Sequence, residues 1–399
     1  MSVVADGELG RTLRVTGAGQ GPRTGPGSGP SMGGGSEAAG VREAAPVVLE
    51  WERVRDPGSD LGAEVRRAFG PDGLGILAVS GVPGVLERRQ ALLPLASRLA
   101  ELPEERRQGL EDPASSWSFG WSHGRETLEG GVPDVYKGSF YANPQYDRPT
   151  EDAALMAAFP SYCRPNVWSE DLPELGPAFK AMGQLIVDVG AALAVHCDKY
   201  VSQQVGRPST QLHDTIRRSR TCKGRLLHYF PPGEAETAEA RAANPKSWCG
   251  WHLDHGSLTG LTSAMYENAG KEAVPNPDPA CGLYIEDRQG AIHHVKYAAD
   301  QLAYQIGESS QIMSGGCLRA TPHSVTTASG PAASGICRNT FAVFMQPMWD
   351  QVLDPEFGVA AAAKEGEADG TLMGLQRPER YGPGINFGKF TERTLAGYY

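Results

Sequence analysis

The sequence predicts a mainly β protein with supporting helices. Helical spacing of apolar residues dominates to about residue 200, and from Arg225 onward short apolar runs alternate with turn residues. Helices first and short strands second suggest a helical support region packed on a β-sandwich. With 399 residues, 40% of them apolar, the chain can bury a large core, and sandwiches or barrels of more than about 200 residues form single units.

Residues 1–45 stand apart. Gly, Pro and Ser dominate this stretch, which cannot bury enough apolar surface to offset its ordering entropy, so a disordered tail is expected. Arg11, Arg14 and Arg23 leave plastid or mitochondrial targeting open, although Asp6 and Glu8 come early. Residues 46–200 form the helix-rich region. Val47 to Leu49 reads as an edge strand, Leu61 to Phe69 as a helix, and Gly75 to Val79 as a strand ended by the Gly81-Val82-Pro83 turn. Leu86, Leu92, Leu93, Leu95, Leu99 and Leu102 recur at helical intervals, with Pro94 marking a kink or a start. Ser115 to Asp147 reads as loops with short strands, and Leu175 to His196 as a long amphipathic helix. Residues 201–399 carry the strands: Leu226 to Tyr229, Gly260 to Tyr266, Gly282 to Glu286, Ala291 to Val295, Gln311 to Met313 and Phe341 to Met345. Asp287 to Gly290 suits a hairpin connection, and Thr391 to Tyr399 a terminal helix.

The net charge of -10 argues against a nucleic-acid surface, which requires a basic stripe. The sequence shows neither an unbroken apolar run of membrane-spanning length nor a signal-peptide core, so no membrane association is expected. Seven cysteines form no C-x-x-C pair and read as reduced thiols. A monomer in the cytoplasm is the expectation.

Chemistry concentrates at His252-Leu253-Asp254. A strand puts residues i and i+2 on one face, so His252 and Asp254 can grip one metal while Leu253 packs away. His323, in a Gly-Gly…Thr-Pro-His context at the far end of the β-rich region, supplies a third ligand. Two imidazoles and one carboxylate leave half the coordination sphere of non-heme Fe(II) open for oxygen chemistry. A catalytic zinc site uses similar ligands, but no H-E-x-x-H helix is present. His255 alternates away from Asp254 and suits packing or hydrogen bonding, and His293 and His294 suit surface or core positions. Further on, Arg338 and Thr340 face the same way on an apolar strand. A forked donor beside a hydroxyl suits the carboxylate of a dicarboxylic acid, and a structural salt bridge is the competing role for a buried arginine.

Together these segments resemble the isopenicillin N synthase-like branch of the Fe(II)/2-oxoglutarate-dependent dioxygenases. His252-Leu253-Asp254-His255-Gly256-Ser257-Leu258-Thr259 is similar to that family's H-x-D-x-G-x-L-T stretch. Gln305 to Glu308 and then Ser314 to Val325 resemble the approach to its distal histidine, and Gly282-Leu283-Tyr284 the strand pair between. Asn166-Val167-Trp168, Lys137 to Phe140 and Gly75 to Pro83 resemble its N-terminal segments, so the likeness spans about residues 45–399. It implies a double-stranded β-helix, or jelly roll, in which His252, Asp254 and His323 are the catalytic ligands of Fe(II). It also implies that 2-oxoglutarate meets Arg338 and Thr340 with its far carboxylate and, with O2, yields succinate and CO2 as a small organic molecule is hydroxylated or desaturated.

Three departures stand out. A longer stretch, including Ala328 to Gly335, separates the distal histidine from the arginine and reads as a lengthened hairpin loop. Thr340 replaces the commoner serine. The N-x-Y-P segment near the co-substrate reads His228-Tyr229-Phe230-Pro231, which leaves His228 and Tyr229 as the candidate co-substrate contacts. An iron oxidase that does not use 2-oxoglutarate, or an inactive ligand-binding homologue, stays open as an alternative. Trp117, Phe119, Trp121, Tyr136, Phe140 and Tyr141 are candidates for either the substrate pocket or packing.

Overall fold

The computed structural model describes residues 41–126, 133–231, 249–326, 328–354 and 380–396. The expected tail, apart from its last residues, lies outside them. Within residues 1–45 the described part is not irregular: Arg42–Ala44 (β1) is a strand paired in parallel with Ile292–Val295 (β12).

Two sheets build the structure. The smaller has five strands in the order β1, β12, Gly282–Glu286 (β11), His323–Thr326 (β14) and Cys249–His252 (β7). The larger runs Val47–Glu50 (β2), Ile76–Ser80 (β3), Leu302–Ile306 (β13), Leu258–Thr262 (β8), Cys337–Met345 (β15), Lys223–Tyr229 (β6), Lys137–Ala142 (β5) and Gly120–His123 (β4). Met265–Glu267 (β9) pairs with β15 and with Ala273–Val274 (β10). Ile76 and Ala303 of the larger sheet pack with Ile285 and Val295 of the smaller in one apolar cluster. This is the jelly roll the sequence implied. Strands from before residue 200 join the same sheet as those after it.

The larger sheet's other face is covered by helices. The long helix Leu175–Val205 buries Phe179, Met182, Ile186, Val189 and Leu193. Phe179 meets Phe341 edge-on at 4.8 Å, and the Tyr304 hydroxyl donates to the Ile186 carbonyl. With 31 residues and a mean hydropathy of 1.5 over its most apolar stretch, this helix is long and apolar enough to cross a membrane by length and composition alone. Here that apolar surface belongs to the core. Gly260 and Gly224 allow the close approach: a Cβ at either would fall 2.2 Å from Ile186 or 2.5 Å from Phe179. Pro94 separates two helices, Val85–Leu92 and Pro94–Ala100, rather than kinking one, because its fixed φ and missing N–H suit a first turn.

Three expectations about elements are corrected. Glu308–Met313 is a short helix, not a strand at Gln311 to Met313; a brief apolar run carries no period of its own. The stretch Ala328 to Gly335 is not a hairpin loop. β14 pairs with β11 and β7, whereas β15 pairs with β6, β8 and β9, so the stretch crosses from one sheet to the other. The expected hairpin at Asp287 to Gly290 does join β11 to β12, with the Asp287 carboxylate accepting from the Gln289 and Ala291 amides. The terminal helix lies earlier than predicted, at Phe387–Leu395, because Asn386 caps it through the Lys389 amide.

Candidate metal centre and its surroundings

β7 ends at His252 and β14 begins at His323, and the two histidines lie opposite each other in an antiparallel pair. Opposed side chains on one face are close neighbours, and the ring centroids stand 4.3 Å apart. Asp254 follows just past the strand end. Its Oδ1 lies 3.8 Å from His252 Nε2 and 4.0 Å from His323 Nε2, and one ligand atom from each residue lies within 4.8 Å of the others. Donors so spaced leave room for an ion at the usual bond length of about 2.1 Å from each.

The remaining polar atoms of all three residues are committed elsewhere. His252 Nδ1 lies 2.8 Å from the Gly250 carbonyl and His323 Nδ1 3.2 Å from that of Thr321. A carbonyl only accepts, so each Nδ1 carries the proton and each Nε2 presents its lone pair inward. The Thr259 hydroxyl donates to Asp254 Oδ2 at 2.6 Å, which leaves Oδ1 for a metal. Such outer contacts orient ligands and tune their basicity. Burial opposes ionisation of Asp254, but His323, His252 and Thr259 outweigh it and hold the carboxyl below its ordinary value. Burial, with His252 alongside, pushes the His323 imidazole down. Both effects favour carboxylate and neutral imidazole, the forms that bind metal. Leu253 between them is buried, as its alternation requires.

The loop carrying Asp254 is clamped from behind. Glu308 N–H donates to the Asp254 carbonyl, Gly307 N–H to Ser257 and Ser309 N–H to Gly256. A Cβ on residue 307 would fall 2.1 Å from the Gly256 carbonyl, so only glycine allows this approach. Glu308 in turn meets Arg380 through both carboxylate oxygens, at 2.6 and 2.7 Å, with both residues buried. His255 takes the packing role expected of it. It stacks on Phe387 and lies 3.2 Å from the Tyr162 hydroxyl, and burial pushes its pKa down to about 4.

Register places the expected co-substrate residues. Arg338 lies opposite Tyr229 on β6 and Tyr266 on β9, and Thr340 opposite Leu227. Strand alternation therefore gives Arg338, Thr340, Tyr229 and Leu227 one face, the side toward the smaller sheet. The Arg338 guanidinium sits 4.8 Å from the Tyr229 ring centre and is buried. His228 points to the other face. Its Nδ1 meets Asn339 Oδ1 at 2.8 Å, its ring packs edge-on against Phe230, and burial lowers its pKa to about 4. The structure thus brings Tyr229, and not His228, to the side of Arg338. Among the aromatic candidates, Phe140 packs on Phe179 and Trp168 on the helix side, and Trp121 leans over Gly138. Tyr136 joins the cluster around Tyr229, Trp117 lies beneath Arg125, Phe119 beneath Lys223, and Tyr141 beneath Arg225.

Thr259 stood in the H-x-D-x-G-x-L-T stretch, yet spacing alone gave it no partner. Glu308 stood in the Gln305 to Glu308 segment of the resemblance, but neither it nor Arg380 was given a role, since their pairing exists only in the fold.

Fold and triad together define a jelly roll with a two-histidine, one-carboxylate centre on paired strands. A scan against protein-family models finds no match, and no curated protein matches by sequence. Solved structures do. A 2OG-Fe(II) oxygenase family protein from Caulobacter crescentus is similar over 88% of this chain and 99% of its own, at 18% identity and TM-score 0.62. A full-length Neurospora crassa protein, solved in complex with alpha-KG, is similar over 88% and 95%, at 19% identity and TM-score 0.58. JOX2, solved with 2OG, Fe and JA, is similar over 90% and 87%, at 15% identity and TM-score 0.55. The chain has the fold of the 2-oxoglutarate/Fe(II) oxygenases.

Proposed function

We propose that the protein is a non-heme Fe(II) oxygenase that uses 2-oxoglutarate and O2 to oxidise a small organic molecule, with succinate and CO2 as co-products. The observation that carries this reading is the triad itself, with three donor atoms converging and every other polar atom of those side chains turned to a protein partner. Iron bound there would supply sites for the keto-acid end of 2-oxoglutarate and for O2. The protein's own contribution is positional. Thr259 fixes the carboxylate, and the Gly250 and Thr321 carbonyls fix the ring tautomers. Arg338 and Thr340, with Tyr229 beside them, suit the far carboxylate of the co-substrate.

The test is an anaerobic Fe(II) titration followed by O2 uptake and succinate release against a metabolite panel. The proposal expects stoichiometric iron, lost in Asp254→Ala, and substrate-stimulated succinate. O2 uptake without succinate would assign an oxidase that needs no 2-oxoglutarate. Failure to bind iron would leave only a ligand-binding homologue.

A further inference from the structure

Lys223 opens β6 on the sheet face shared by Arg225, Leu227 and Tyr229. It is 8% exposed. Its ammonium donates to the Ser161 carbonyl at 2.5 Å and lies 4.9 Å from the Tyr162 ring centre and 5.2 Å from that of Phe119. Among the described residues no carboxylate stands within 4 Å of it. Two neighbouring cations on this face are neutralised: Arg225 meets Glu126 at 2.7 Å, and Lys137 meets Glu126 and Asp134. Arg338, at the far end of the strand pair, is the cation assigned to 2-oxoglutarate.

An ammonium has three donors, and taking one out of water costs several kcal/mol. One carbonyl and two ring faces offset only part of that, at about 0.5–2 kcal/mol per ring. Burial accordingly pushes the amine down to about 7. The position is next to the metal centre. Lys223 pairs with Phe344, Phe344 with Thr259, and Thr259 holds Asp254. At about 4.8 Å per strand, Lys223 and Thr259 start about 10 Å apart. Phe344 between them is half-buried, so the row is not sealed.

We propose that Lys223 is the docking point for a carboxylate of the substrate, which makes that substrate a small organic acid. This rests on the oxygenase reading above. The missing countercharge arrives with the ligand, and the ligand is then held at the edge of the metal centre by a group two strands away.

The test uses the full chain under nitrogen with Fe(II) and saturating 2-oxoglutarate, so that Arg338 is occupied. A library of aromatic and aliphatic monocarboxylic acids, each paired with its primary amide, is screened by ligand-observed NMR. At least one acid is expected to bind ten-fold or more tighter than its amide. Lys223→Met should erase that preference and Lys223→Arg keep it, with 2-oxoglutarate affinity unchanged in both. Lys223→Gln, which retains a donor for the Ser161 carbonyl, replaces the methionine variant if that one fails to fold. Equal binding of acid and amide, binding of no acid, or a preference that survives loss of the amine would overturn the proposal. Iron and 2-oxoglutarate binding, measured on the same samples, report separately on the oxygenase reading.

Discussion

Thr259 is the residue on which the geometry of the metal centre turns. Its hydroxyl donates to the buried Asp254 Oδ2, leaving Oδ1 toward both Nε2 atoms. Thr259→Val keeps the shape and removes the donor. Metal affinity should fall about 10–100-fold, the usual effect of losing such a support, while the chain stays folded; Fe(II) titration with circular dichroism checks both. Unchanged affinity would show that Asp254 is positioned by the backbone alone. Arg338→Ala should act differently, raising the apparent KM for 2-oxoglutarate at least ten-fold, since a buried charge-assisted contact is worth about 2–5 kcal/mol. A steady-state titration of 2-oxoglutarate reads this, and an unmoved KM would remove Arg338 from the co-substrate site. The triad was legible in sequence because His252 and Asp254 sit two apart before the Gly256 turn and His323 follows in its Thr-Pro-His context, although Asp254 lies just past the strand end rather than on it. The side of β6 on which His228 sits was not. Phe230 intervenes between Tyr229 and Pro231, and a one-residue offset in a strand exchanges the faces of every side chain. Only the register with Arg338 shows that Tyr229 is the inward residue.

At the scale of elements, the helix Glu308–Met313 and the C-terminal helix Phe387–Leu395 brace the loop that carries Asp254. Their link is Glu308 to Arg380, with the guanidinium also donating to Thr394. Breaking a buried pair from one side leaves an uncompensated charge, at a cost of about 3–5 kcal/mol. Arg380→Met should therefore lower the melting temperature by several degrees and weaken iron binding, because Glu308 N–H holds the Asp254 carbonyl. Pairing Arg380→Met with Glu308→Leu should restore much of the stability. Calorimetry of the single and double variants measures the coupling, and additive losses would show that the two residues act independently. Sequence reading missed this brace for a physical reason. The run Gln311 to Met313 is too short to show a 3.6-residue period, and the glycines around it signal breaks of either kind. Long elements fared better: the helix Leu175–Val205 was foreseen from its spacing as far as His196, and the same apolar spacing continues through Cys197, Tyr200 and Val201 to its observed end.

The chain carries 47 acidic and 37 basic residues; its jelly roll followed from the family resemblance, whereas the change of hydrophobic period suggested only helices packed on a β-sandwich. The crossing of Ala328 to Gly335 between sheets followed from neither, since nothing local distinguishes a hairpin from a crossover. One charge should leave a mark on global stability. Lys223 is pushed down to about 7 by burial, whereas in the unfolded chain its amine keeps an ordinary value near about 10.4. Between these values the unfolded chain binds the extra proton, so stability rises with pH across that window. Below about pH 7 both states hold the proton, and the full burial penalty applies. Urea unfolding at several pH values from about 7.5 to 10 should show a steeper rise for the natural chain than for Lys223→Met. The slope difference approaches about 1.4 kcal/mol per pH unit at most, the value for one proton. Cysteine and tyrosine titrations are common to both chains and cancel in the difference. Parallel profiles would mean that Lys223 is solvated or already neutralised in the folded protein. A bound carboxylate should flatten the profile of the natural chain by raising the amine toward its ordinary value, and leave the methionine variant unmoved.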